Sequence, residues 1–103
     1  MFLGAPADPL PRGITLTIAG AVSRWLGVIE AHLPQCYAPG VIDDPAQILV
    51  LVVRQGEAVR NLVARAGREL GNILPDGTHL DMWVIGADDK FLPIVREAGC
   101  RIA

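Results

Sequence analysis

Apolar residues recur along the chain in two rhythms, and the switches between them divide it into elements. Over the first third the rhythm is helical. Ile18, Val22, Trp25, Ile29 and Leu33 recur at spacings of three or four, which puts them on one stripe at 3.6 residues per turn. This predicts a first helix over about residues 15–33, weakened by Gly20 and Gly27 and stopped by Pro34. Ahead of it, residues 1–13 hold Pro6, Pro9 and Pro11 with Gly4 and Gly13. Proline fixes φ and removes an amide donor, so this stretch is expected to be an extended lead-in.

Pro39-Gly40 and Asp43-Asp44-Pro45 then punctuate the chain as turns, leaving Gln35–Ile42 as a short first strand. "QILVLVV" follows, a continuous apolar run bounded by breaks, which is the mark of a strand covered on both faces. It predicts a central strand. The helical rhythm returns with Val59, Leu62, Val63, Ala66 and Leu70, while Glu57, Arg60, Asn61, Arg65, Arg68 and Glu69 take the other side. Gly71-Asn72 offers a stop and "LPDGTH" a turn.

"HLDMWVIG" alternates, with Leu80, Met82 and Val84 on one face and Asp81, Trp83 and Ile85 on the other, and its C-terminal half reads as the buried half. A short helix in "DKFLPIVREAG" has Pro93 near its first turn and Gly99 after its last, and "CRIA" provides a short closing edge strand. The order is α-β-β-α-β-α-(β). Strand, helix and strand in succession call for a parallel pair. The expected fold is one small α+β domain, bordering on α/β, with a mixed sheet and helices packed mainly on one face.

Composition agrees with a folded single domain: the chain has 103 residues, 51% hydrophobic and 19% charged. The longest apolar run, Ile48 to Val53, is far short of the ~20 residues that cross a bilayer, so no membrane partner is expected. A formal charge of −2 without a basic block gives no footprint for nucleic acid. The start "MFLGAPADPLPRG" lacks the basic and apolar regions of a signal peptide, which makes the cytoplasm the expected location. Cys36 and Cys100 stand far apart and outside any CxxC spacing, as small packed thiols do.

Candidate chemistry is sparse. Asp88 and Asp89 lie where a strand gives way to a helix, the end of an open sheet at which ligands often bind, and they are the candidate ligand-binding pair. The competing reading is a helix cap: one aspartate there accepts from unpaired amides and opposes the helix dipole. Asp43-Asp44 before Pro45 reads as a turn. His32 and His79 fall in no HxxH or HExxH spacing, so no metal is expected, and solvated or hydrogen-bonded histidine is the reading for both. Ser23 is not in a GxSxG elbow, and neither "VVRQGEAVR" nor "VIGADDKF" has the glycines of a phosphate loop. No catalytic residue and no cofactor are expected. Arg60, Arg65 and Arg68 fall within a fan of ~140° on the second helix, a candidate strip for an acidic partner, though Arg65 and Glu69 also have salt-bridge spacing. Trp25 and Trp83 sit on apolar patterns, as core residues or beneath a partner.

"LGAPADP", the strand "ILVLVV", the helix "EAVRNLVARAGREL" and "PDGTHLDMWVIGADDKFLPIVREAGCRI" together make nearly the whole chain resemble the C-terminal domain of the enhanced serine sensitivity protein SseB family. The chain departs from that family at its end, where a proline and an aromatic pair are usual and "CRIA" stands here. The resemblance implies a bacterial, cytoplasmic, non-catalytic domain, and no catalytic residue carries over. Two functional expectations follow. One is a protein-interaction or regulatory module acting through a sheet edge or the second helix, with a protein partner or a second copy as its ligand. The other is a small-molecule-binding domain or minor enzyme with a site at the strand ends near Gly56 and Asp88/Asp89.

Overall fold

The computed structural model describes residues 2–7, 9–37, 47–54, 59–78 and 80–103. Pro39-Gly40, Asp43-Asp44-Pro45, Gly56, Glu57 and His79 lie outside the described residues. Eight elements follow in order: β1 (Phe2–Gly4), α1 (Arg12–Val22), β2 (Val28–His32), β3 (Gln35–Tyr37), β4 (Ile48–Val53), α2 (Val59–Ile73), β5 (Asp81–Gly86) and α3 (Leu92–Glu97). The expected α-β-β-α-β-α order runs through them as α1, β3, β4, α2, β5 and α3, and two strands are added to it.

Both added strands correct an expectation. The lead-in contains β1, which pairs antiparallel with β3. The first helix, expected to reach Leu33, ends at Val22 instead, and the chain re-enters as β2. Gly27 explains the break, since its φ of +91° is open to glycine and costly for other residues, and it turns the chain out of helical geometry. Beyond it Val28, Glu30, Ala31 and His32 pair with β4 across a bulge at Ile29. The helical stripe picked out core residues correctly at Ile18, Val22, Trp25 and Leu33 but failed at Ile29, which the bulge leaves 43% exposed.

β4 is the centre of the main sheet, whose order is β2-β4-β5, with β2 antiparallel and β5 parallel to it. All six β4 residues are buried, as an uninterrupted apolar run requires. Leu49, Leu51 and Val53 pack with Ala31 and Leu33 beneath Ile18, Ala21 and Val22 of α1 and Leu62, Ala66 and Leu70 of α2. The helix α2 runs through Gly71, the expected stop, to Ile73 because Ile73 and Leu74 still pack on that core. On the opposite face Ile48 and Val50 meet Cys36 of β3 and Val95 of α3, with Leu3, Trp83 and Ile85 at the margin. Both long helices thus share one face, and the short α3 with the β1–β3 ribbon covers the other. The result is an α+β domain with a mixed sheet.

Residues 100–103 add a fourth strand-like segment. Leu33 donates to the Cys100 carbonyl at 2.9 Å, Ile102 donates to Ala31 at 2.8 Å, and Ala31 donates back to Ala103 at 3.1 Å. They cover the outer edge of β2, and Arg101 forms a bridge to His32. Gly99, with φ +70°, aims the chain there after α3.

Candidate functional site

At the carboxyl end of β5 the two aspartates part company. Asp89 Oδ1 accepts from the Phe91 amide at 2.8 Å and the Asp89 carbonyl accepts from Leu92 at 3.1 Å, so this residue holds the turn that leads into α3. Asp88 is exposed and makes no such bond among the described residues; its carboxylate folds back over Gly86, where a Cβ would stand 3.0 Å from Oδ1. Glycine at 86 therefore leaves room for that carboxylate. Among the described residues no group of three or more His, Cys, Asp or Glu could hold a metal ion.

Arg60, Arg65 and Arg68 are all exposed on α2. Arg65 reaches Glu69 across one helical turn at 3.8 Å, as the spacing predicts. Glu69 is also within 4.0 Å of Arg24 and accepts from the Trp25 indole, so its carboxylate joins α2 to the end of α1. Trp25 is 2% exposed and belongs to the core, whereas Trp83 is half-buried on β5.

The densest polar cluster among the described residues lies elsewhere, and sequence reasoning passed over most of it. Glu30 and His32 alternate with Ala31 on β2 and so point to the same face, the one under α3. Glu30 is 5% exposed, yet it accepts from Arg96 Nε at 3.1 Å and from Arg96 Nη2 in a bidentate pair. His32 Nε2 lies 3.0 Å from Glu30 Oε1, and Arg101 Nη1 stands 3.9 Å from the same oxygen. Its hydrogen bonds from Arg96 pull the Glu30 pKa down to about 2, against a smaller opposing push from burial. His32 is 1% exposed, and its Nδ1 has no hydrogen-bond partner among the described residues. These four residues fasten β2, α3 and the 100–103 segment together. The signal was present in "VIEAHL", whose polar residues alternate, but a helix places Glu30 and His32 on different sides.

Two features mark β5. Residues 100–103 cover the outer edge of β2, while β5 has β4 as its one strand neighbour among the described residues. Its residues from Met82 to Ile85 are apolar on both faces and only half-buried. At the start of β5 a pocket of about 400 Å³ lies between Gly67, Leu70, Gly71 and Leu74 at the end of α2, Asp76 in the following turn, and Met82, the one β5 residue that lines it. Gly67 and Gly71 are exposed, and a Cβ at either would meet nothing within 4 Å. No helix is long and apolar enough to cross a membrane among the described residues. Comparison with protein-family models, curated proteins and solved structures finds no match to the chain.

Proposed function

We propose that the domain is a non-catalytic protein-interaction or regulatory module whose docking surface is the outer edge of β5. The observation that carries this reading is the contrast between the two sheet edges. An open edge offers unpaired amides and carbonyls to any extended chain, and proteins commonly blunt it with charge, proline or a bulge. From Met82 to Gly86 none of those devices is present, and the side chains on both faces are apolar. The resemblance to the SseB family's C-terminal domain supports the same kind of role, in a bacterial cytoplasm.

Amide hydrogen exchange with residue resolution tests the reading, alongside light scattering over a dilution series. Binding through the edge slows exchange in Met82–Gly86 when a partner or a second copy is present. Protection confined to the Arg60–Arg68 face of α2, with β5 unchanged, would move the docking surface there. A mass that stays at 11.0 kDa at every concentration rules out self-association and leaves a different protein as the occupant.

A further inference from the structure

Resting on that reading, we infer that the occupant of the β5 edge is a second copy of this chain, related by a two-fold axis that pairs β5 with β5 antiparallel and lays α2 against α2. The surface beside the edge has two layers, and together they select the occupant. One layer is the strand itself, with Trp83 and Ile85 half-buried on its α3 side. The other is a flank of α2. At about 100° per residue, Arg60, Val63, Gly67, Gly71 and Leu74 fall within about 80° of arc. The last three line the pocket that reaches Met82, so this flank is the one turned toward β5.

A lone added strand lies in the plane of the sheet and leaves the helix layer bare. A second copy brings a strand and a helix together. Because α2 is the crossover between the parallel strands β4 and β5, and strands stand ~4.8 Å apart, the two α2 helices would lie about 10 Å from each other. That is a helix-packing distance. Centring the pair on Val84 sets Trp83 of each copy opposite Ile85 of the other, an aromatic and β-branched cross-strand pair formed twice. The flank of a body measuring 36 × 33 × 21 Å offers on the order of 700 Å², near the ~800 Å² per partner of stable complexes.

The axis also exchanges the two ends of α2, and those ends differ in shape and charge. Arg60 and Val63 stand toward the finish of β5, whereas Gly71 and Leu74 stand toward its start. Val63, 39% exposed, therefore meets Gly67 and Gly71 of the second copy, where an added Cβ finds nothing within 4 Å. Arg60 comes to the turn that carries Asp76 of the second copy. Among the described residues, Arg54, Arg60 and Lys90 outnumber Asp88 and Asp89 around the finish, while Asp76 and Asp81 mark the start. Antiparallel pairing sets these unlike ends against each other.

Light scattering and amide exchange on the full chain over a dilution series test the inference. The mass should rise from 11.0 kDa toward twice that value, with exchange at Met82–Gly86 slowing in step. The double variant Gly67→Gln, Gly71→Gln fills open space in the single copy and removes two glycines from a helix interior. Its Tm at high dilution should hold or rise, yet its dimer should weaken about tenfold or more. Arg60→Glu and Asp76→Arg, both at exposed positions, should each weaken the dimer about tenfold at low salt, and their combination in one chain should recover most of that loss. A dimer unmoved by the glycine pair and by the charge variants overturns the two-fold arrangement. A mass fixed at 11.0 kDa overturns the second copy as occupant. In that case a blocked strand-forming peptide of alternating valine and threonine separates the two readings: protection of Met82–Gly86 by the peptide keeps the edge reading, and its absence removes that reading as well. A dimer that leaves β5 unprotected removes both.

Discussion

Replacing Arg96 with methionine removes the guanidinium that neutralises Glu30 while keeping most of the apolar stem, so it isolates charge from packing. Glu30 is buried at 5% exposure and Arg96 gives it two bonds. Lowering its pKa from the ordinary 4.5 to about 2 corresponds to about 3 kcal/mol in favour of the charged form. The Arg96 side chain is 55% exposed, so solvent screens the pair and the net contribution falls to about 1–2 kcal/mol. Loss of Arg96 also leaves a buried carboxylate with His32 at 3.0 Å and Arg101 at 3.9 Å as its remaining partners. The expected loss in urea unfolding at neutral pH is therefore about 2 kcal/mol, or a Tm lower by about 10 °C.

The acid limb gives an independent check. The folded Glu30 has the lower pKa, so as pH falls the unfolded chain takes up the proton first. The stabilisation is complete above about 4.5 and is lost as pH falls toward 2, so the gap between wild type and Arg96→Met closes across that window. Glu30→Gln should flatten the wild-type slope there, and the double variant should show coupling of about 1–2 kcal/mol. A neutral-pH loss below ~0.5 kcal/mol with an unchanged acid limb would refute the argument, since it would mean Glu30 is satisfied without Arg96.

Two smaller predictions concern the same end of the molecule. Asp89→Ala should cost about 0.5–1 kcal/mol in thermal or urea unfolding by removing the bond to the Phe91 amide, whereas exposed Asp88→Ala should stay within ~0.5 kcal/mol. Gly99→Ala forces a side chain onto φ +70° and should cost about 1 kcal/mol, with faster amide exchange at Ala31 in β2 and Leu33 just after it, the residues that donate to the 100–103 segment.

How much of this was legible varied with the source of each feature. β4 and β5 announced themselves because burial on two faces and alternation are written within a few consecutive residues. Their parallel pairing followed from the helix between them. The break after Val22 was harder: Ile18, Val22, Trp25 and Leu33 are all core residues, and a stripe at helical spacing connects them whether or not the chain stays helical. Gly27 and the alternation of Glu30, Ala31 and His32 carried the contrary signal, but propensity at a single glycine is weak against a long stripe. The sequence pointed to a helix cap at the aspartate pair, but α3 is capped at Phe91 without a side-chain bond, and Asp89 instead holds the turn before it by accepting from the Phe91 amide two residues away. The Glu30 network was not legible, since Arg96 stands 66 positions along the chain and meets Glu30 only once the sheet and α3 have formed.

That same separation gives the sheet its asymmetry. β2 is a polar-faced strand next to an edge, and the chain closes that edge with its own residues 100–103, held by Arg96 and Arg101 on one carboxylate. The anchoring charges are buried or paired, so this edge is unavailable to other chains. β5, at the far side of β4, has no such segment among the described residues. A strand added to β5 would continue the sheet away from the closed edge. Cutting the Glu30 network therefore offers a control for edge binding: Arg96→Met should loosen the 100–103 segment without altering the affinity of a strand-forming peptide for β5. Equal weakening of both would mean that peptide binding reports global stability and not the β5 edge.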